Sequence, residues 1–254
     1  MKPILVIAAV PPEIELLEHS LGHSGRISGG GFDYIEGTLS NLGLVVCAAG
    51  VGKINAAAAT AAMLERYRPQ LVINTGCAGA YPGSGLEIGN LVVASEELLV
   101  DEGVIIQDGW QDLSYMRLPA VDHAGRHCYN TVPLSRRAAE KAMQLADNYG
   151  VSLTRGRFAT VSTCSGTTLQ GVAISRRWNA LVENMEGAAV AQVCLRYGVD
   201  CLEIRGVSNQ VEERNLKTWN IPAAVEAAQR FVLKYLEEMD RPDLSMIPQA
   251  VPEL

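Results

Sequence analysis

Four short polar stretches interrupt an otherwise apolar and Ala-rich chain, and each holds a residue type able to do chemistry. Glu13 follows the run "ILVIAAV" within "PPEIE". A carboxylate there can take a proton from water. Its plainer use is as an acidic residue favoured by a helix dipole. The stretch "TGCAG", Thr75–Gly79, reads as a Gly-rich strand-to-helix turn. There the backbone of Cys77, Ala78 and Gly79 can approach a ligand closely and turn N–H groups toward an anion or hydroxyl. Met185 and Glu186 begin "MEGAAVA". A Glu at a helix start is again often a dipole partner. It can also accept hydrogen bonds from two adjacent hydroxyls, as on a ribose, and stabilise positive charge on a sugar ring. Ser208 and Asn209 close the apolar run "VDCLEIRGVS". An amide stands there, where a carboxylate or a hydrophobe is commoner.

Other features point to plainer roles. The glycine spacing of "TGCAG" fits neither a Walker loop nor the dinucleotide fingerprint, so neither ATP nor NAD is indicated. In "HAGRHC", His123, His127 and Cys128 resemble metal ligands only superficially, because no acidic or sulfur partner stands at a fixed distance. No metal is expected. Arg205, inside a strand, reads as a buried ion-pair partner. Glu212–Arg214 reads as a solvated turn.

The elements that must position these residues follow from periodicity. Buried strands are expected at "ILVIAAV", "LVINTG", "LVVASEELLV", "GRFATVST" and "DCLEIRGVS", with a hairpin around Ser40–Gly43. Helices are expected at "PPEIELLEHSL", "KINAAAATAAMLERY", 134–149, from Glu186 through "RYG", and "WNIPAAVEAAQRFVLKYLEEM". Residues 107–131 read as loop. This alternation predicts an α/β fold: a single domain over 1–239 with a mixed central β-sheet flanked by helices on both faces, and a Pro-containing tail over 240–254. Ligand sites in such folds collect at the carboxyl ends of strands, where all four polar stretches lie.

The totals are compatible with this. The 254 residues are 48% hydrophobic and carry a net charge of −7, which argues against nucleic acid or an anionic membrane as the main partner. The six cysteines lie mostly in apolar or Ala-rich runs without a Cys-x-x-Cys pair, as for buried thiols in a reducing cytoplasm. The N-terminal apolar run is too short for a signal peptide, and no run is long enough to span a bilayer.

In combination and order, "INTGCAGA", "VENMEGAAVAQVC" and "RGVSNQVEERN" resemble the nucleoside phosphorylase and nucleosidase superfamily, over Met1 to about Glu238. The nearest branch holds the methylthioadenosine/S-adenosylhomocysteine nucleosidases and the futalosine hydrolases. The resemblance implies that Glu13 positions or deprotonates the attacking water. It implies that Met185 and Glu186 meet the ribose and that Ser208–Asn209 contact the base. The methylthioadenosine enzymes carry Asp where Asn209 stands, and use it as general acid. Asn209, with Arg214 and Trp219, is instead similar to the futalosine hydrolases. Phosphorylases of the superfamily carry a Gly-Asp-Pro-x-Arg-like turn and an Arg before the Gly-rich stretch; here "VPPEIE" and Asn74 replace them. Losing those cations and gaining Glu13 favours water over phosphate. Adenine leaves poorly unless protonated at N7, which an amide cannot do. Hypoxanthine can leave with charge on its 6-oxo group, which an amide N–H can stabilise. An amide also pairs with the N6/N7 edge of adenine, so binding alone leaves both bases open. The resemblance further implies a homodimer that needs no cofactor and acts on a purine nucleoside, with Arg214 a candidate for the 5′ carboxylate of futalosine. A methylthioadenosine nucleosidase is the nearest rival. A non-catalytic nucleoside-binding protein is the rival of another class, and intact Glu13 and Glu186 speak against it.

Overall fold

The computed structural model describes residues 2–123 and 125–240. The chain begins with β1 (Ile4–Ala8), a 3-10 turn (Pro11–Glu13), α1 (Glu15–Ser20), β2 (Gly22–Gly29), β3 (Phe32–Leu39), β4 (Leu42–Ala48) and α2 (Lys53–Tyr67). There follow β5 (Leu71–Ala80), β6 (Leu91–Leu99), β7 (Gly103–Ile106), β8 (Gly109–Asp112), α3 (Leu113–Met116), β9 (Val121–His123), β10 (Arg126–Cys128) and β11 (Thr131–Pro133). The last third holds α4 (Arg136–Tyr149), β12 (Leu153–Thr160), α5 (Thr168–Trp178), β13 (Ala180–Asn184), α6 (Gly187–Tyr197), β14 (Asp200–Gln210), a 3-10 turn (Leu216–Thr218) and α7 (Ile221–Asp240).

Ten strands form one mixed sheet in the order β11-β6-β12-β13-β5-β1-β4-β3-β2, and β14 pairs with both β5 and β6. The strands β5, β13, β12, β6 and β14 therefore close a ring beside the open parallel part. Alternate residues of the central strands face opposite helical layers, which is why these strands read as unbroken apolar runs. Ile4, Val6, Leu71, Ile73 and Leu202 pack on the side of α1, α4 and α7, with Leu17, Leu145, Phe231 and Tyr235. Leu5, Ile7, Val45 and Val72 pack on the other side, with Ala56, Ala59 and Met63 of α2 and Val190 and Cys194 of α6. Among the described residues no helix is long and apolar enough to cross a membrane.

The expected α/β architecture and its mixed sheet are present. Three expectations need correction. "TGCAG" is not a strand-to-helix turn but the second half of β5, which pairs with β14 through Ala80. The helix expected at "PPEIELLEHSL" is split, because Ile14 leaves helical geometry at φ −127°, ψ 0°. The 107–131 stretch is not all loop: it carries β8, α3, β9 and β10. The edge strand β2, helix α5 and strand β13 were not expected. Helix α7 runs through Asp240, and the expected tail over 241–254 lies outside the described residues.

Candidate active site

The site forms where β5 changes partner. Strand β1 pairs with β5 only as far as Asn74, and β13 joins that edge only at Gly79 and Ala80. Between them the edge N–H of Cys77 needs an acceptor. Glu13, held on the 3-10 turn just after β1, supplies it: Glu13 Oε1 accepts from Cys77 N at 3.0 Å. Its Oε2 accepts from Ala9 N at 3.0 Å and Val10 N at 3.2 Å. Part of the carboxylate thus closes its own turn, and part crosses to β5. Gly76 makes this possible, since a Cβ there would lie 2.5 Å from Glu13 Oε1. Burial and the adjacent Glu13 push the Cys77 thiol up to about 12, which removes it as a nucleophile.

Arg205 lies under this group, 2% exposed. Its Nε donates to Glu203 Oε1 at 2.6 Å and its Nη1 to Cys77 O at 2.9 Å. Its Nη2 stands 3.5 Å from Glu186 Oε2 and is without a hydrogen bond among the described residues. Arg205 is the expected buried ion-pair partner, yet it also lines the cavity. The cation is balanced by Glu13, Glu186 and Glu203, which hold its pKa above the usual arginine value against the opposing effect of burial.

Glu186 is the N-cap of α6 but caps nothing with its side chain. The first N–H groups of that helix go elsewhere. Asn184 Oδ1 accepts from Glu186 N at 2.9 Å and Gly187 N at 2.7 Å, and Thr160 Oγ1 accepts from Ala188 N at 2.7 Å. The Glu186 carboxylate is thereby released to the cavity, where Oε1 accepts from Gly52 N at 2.9 Å. Burial raises its pKa, opposed by Arg205 and the Gly52 N–H. Beneath α6, Glu97 is driven well above the carboxylate range by burial and by Glu203 beside it.

The far wall comes from β14. Its register against β5 shifts between Val207 and Asn209, so Ser208 is an extra residue. The bulge breaks strand alternation and lets Ser208 and Asn209 both line the cavity. Ser208 Oγ donates to Asn209 Oδ1 at 2.8 Å, and Asn209 Nδ2 donates to Gln210 O at 3.0 Å. The amide oxygen is thus engaged, while Nδ2 keeps a second N–H. Across Gly79 stands Glu183 of β13, 6% exposed, whose Oε1 accepts from Ser165 N at 2.9 Å. Arg214 and Trp219 stand at the rim, with the guanidinium 5.2 Å from the indole ring centre.

One cavity therefore brings together every candidate residue from the sequence: Glu13, Cys77, Ala78, Gly79, Met185, Glu186, Ser208, Asn209 and Arg214. The sequence reading missed Glu183 and gave Arg205 only a structural part. A signal for Glu183 existed: a carboxylate in the apolar run "NALVEN" is costly to bury unless it is used. His127 rests beside Asp122 on the exposed β9–β10 hairpin, and among the described residues no group of three or more His, Cys, Asp or Glu could hold a metal ion.

Comparison with known proteins adds independent information. The family model described as the phosphorylase superfamily matches residues 3–237. Futalosine hydrolase of Thermus thermophilus is 36% identical over 201 residues, 79% of this chain and 84% of that one. The 5′-methylthioadenosine/S-adenosylhomocysteine nucleosidase of Bacillus anthracis is 30% identical over 239 residues, 93% of this chain and 99% of that one. In fold, the chain is similar to the Neisseria meningitidis nucleosidase of that name in complex with methylthio-immucillin-A, with a TM-score of 0.81 at 24% identity, covering 94% of this chain and 100% of that one.

Proposed function

Because the chain belongs to the phosphorylase superfamily and is a nucleosidase of it, we propose that it hydrolyses the N-glycosidic bond of futalosine, releasing hypoxanthine and dehypoxanthine futalosine on a route to menaquinone. The observation that carries this reading is the state of Asn209. Ser208 donates to its Oδ1, and Nδ2 keeps a second N–H beyond the one given to Gln210 O, so the amide has a donor to offer the cavity. A 6-oxo group accepts from that donor, whereas a 6-amino group would meet it donor to donor. The identity to the Thermus thermophilus enzyme supports the same choice.

In this reading the ribosyl group passes through an oxocarbenium-like transition state. Glu13 takes the proton of the attacking water, Glu186 holds the ribose hydroxyls with Met185 packed beside it, and Asn209 meets the departing base. Arg205 is too well matched by Glu13, Glu186 and Glu203 to attract phosphate, so water is the acceptor. Arg214, at the rim, meets the 5′ substituent. The enzyme is proposed to work as a cytoplasmic homodimer.

A second reading has its own support, since similarity to the methylthioadenosine nucleosidases extends over 93% of the chain. A panel of 6-oxo and 6-amino nucleosides, scored for free base with and without phosphate, tests both. Hypoxanthine release from futalosine supports the first reading; preferential adenine release from methylthioadenosine overturns it in favour of the second.

A further inference from the structure

We propose that Lys53 is a positioning residue of this site: bridged to Asp101 and Glu102, it fixes the 50–52 loop so that the Gly52 N–H meets Glu186 and holds that carboxylate for the ribose. The ribose part rests on the reading that the chain cleaves purine nucleosides; the contact between Gly52 and Glu186 does not.

A lysine is an unfavourable choice for this place in the chain. Lys53 is the first residue of α2, a 15-residue helix, and the positive end of a helix disfavours a cation. The side chain does not escape into solvent, being only 16% exposed. Its Nζ donates to Asp101 Oδ1 and to Glu102 Oε1, both at 2.6 Å. These two residues follow β6, and the ammonium between them offsets the repulsion of one carboxylate by the other. Burial works against the charge on Lys53, and the two carboxylates overcome it, leaving its pKa above the usual lysine value.

The bridge lies one residue from the site. Gly52 N donates to Glu186 Oε1 at 2.9 Å, and Val51 lines the same cavity. Gly50 and Gly52, at φ +98° and +94°, give the loop a freedom that must be restrained elsewhere. Its polar contacts on the helix side are local: Ala56 N donates to Gly52 O at 3.1 Å, and Asn55 Nδ2 to Val51 O at 2.8 Å. Val51 and Ile54 are 51% and 86% exposed, so packing does little to hold this end of α2. Among the described residues, Lys53 carries the side-chain bonds that join the first turn of α2 to another element. Beyond the bridge, Asp101 Oδ2 accepts from Ser162 N at 2.6 Å, in the segment that leads from β12 to Cys164 and Ser165 of the cavity wall. A run of contacts thus follows one edge of the cavity, from Glu186 through Gly52, Lys53 and Asp101 to Ser162.

The effect of the bridge falls on Glu186. Its carboxylate is surrounded by Arg205 and Glu203 of β14, Glu13 after β1, Cys164 after β12 and the Gly52 N–H. A donor to the ionised form favours that form, so losing the Gly52 N–H raises the Glu186 pKa. Removing the Lys53 charge acts in the same direction through its field. Removing the carboxylates of Asp101 and Glu102 acts in the opposite direction, because nearby negative charge itself raises a carboxyl pKa. Cutting the bridge from each side therefore separates the two causes. Positioning raises the Glu186 pKa both times, whereas field alone raises it once and lowers it once.

The test is a carboxyl-carbon NMR titration of the free protein labelled in its glutamates, with the Glu186 signal assigned from Glu186→Gln. Beside it runs the pH profile of kcat/KM on the best purine nucleoside of the panel. Lys53→Met and the double variant Asp101→Ala with Glu102→Ala, both checked for folding by circular dichroism, should each raise the Glu186 pKa and move the acid limb to higher pH. Each should lower kcat/KM by up to about 100-fold, the cost of a misplacement of about 1 Å, and weaken discrimination against 2′-deoxyribose. Lys53→Arg keeps the charge and reaches both carboxylates, so it should restore most of the rate and the wild-type limb. If the double variant does not fold, Glu102→Ala alone takes its place with the same expected sign. A Glu186 pKa that is unchanged or falls in either variant overturns the proposal, even where the rate is lost. If wild type cleaves no nucleoside, the proposed function fails, and the titration by itself still decides whether Lys53 positions Gly52 on Glu186.

Discussion

Glu13 Oε1 and the backbone N–H of Cys77, 64 residues apart in sequence, meet at 3.0 Å where β5 has lost β1 as a partner. One bond thus completes the sheet edge and aims a carboxylate into the cavity. In the proposed mechanism the bond that satisfies the strand edge also holds the catalytic base, so substitutions around it should alter turnover and stability together.

Glu13→Gln retains the shape but gives up the base. Its amide group must also set an N–H2 against backbone donors on one side. Ligand affinity should change little while kcat falls about 100- to 10,000-fold, the usual contribution of a positioned base. Single-turnover kinetics beside calorimetric binding of the product base separate the two effects. A folded Gln variant with near-normal turnover removes the role.

Gly76→Ala tests the same bond from the other strand. The added methyl would lie 2.5 Å from Glu13 Oε1 and 3.1 Å from Arg205 Nη1. Neither group can leave without giving up other bonds, and at φ +150° an alanine also strains the backbone, so Glu13 must shift and some stability is lost as well. A misplacement of about 1 Å costs roughly 100-fold in rate. The loss should largely vanish in a Glu13→Gln background, because residues in one network couple. Independent, additive losses would show that Gly76 acts elsewhere.

In the proposed function Glu186 must be ionised to accept two ribose hydroxyls. Burial raises its pKa, so its ionised form is lost earlier as pH falls than for an ordinary Glu. The kcat/KM profile should therefore fall on the acid side through this raised pKa. Glu186→Ala should weaken binding and rate together and abolish discrimination against 2′-deoxyribose substrates. Retained discrimination would exclude the ribose assignment.

Phosphate should have no effect on rate, and the sugar product should be free. The reason is electrostatic: Arg205 already faces Glu13, Glu186 and Glu203, so a phosphate would enter a site with excess negative charge. Chromatographic detection of a sugar 1-phosphate would contradict this.

Much of this was legible from the chain. β1, β5 and the strand before Ser208 read as strands because burial on both faces makes them continuously apolar. Helix α7 was legible because Ala224, Ala228, Val232 and Tyr235 recur on one face. The edge strand β2 was not, since "GHSGRISG" is largely exposed and has no alternation to detect. "TGCAG" misled for a physical reason: its glycines serve close approach by Glu13 and Asn209 rather than a turn. Glu183 and Arg205 were undervalued because their parts depend on strand register. The pairing of Glu183 and Asn209 across Gly79 joins three segments, and no local pattern contains it.

In the proposed function Asn209 is the selector for the base. Its Oδ1 takes the Ser208 hydroxyl, and its Nδ2 keeps a second hydrogen that a 6-oxo group can accept and a 6-amino group cannot. Wild type should cleave hypoxanthine nucleosides well and adenine nucleosides poorly. Asn209→Asp should reverse part of that preference. The new carboxyl would stand across Gly79 from Glu183, and two such neighbouring carboxyls share a proton rather than both ionise. A protonated Asp can serve adenine, whereas its ionised form repels a 6-oxo group. One positioned hydrogen bond or charge at a departing group is worth roughly 2.7–4 kcal/mol, or about 100- to 1,000-fold in rate. The measurement is the ratio of kcat/KM for futalosine to that for its 6-amino analogue, in both proteins. If wild type prefers the 6-amino compound, or the substitution leaves the ratio unchanged, Asn209 does not select the base and the futalosine assignment loses its main physical support.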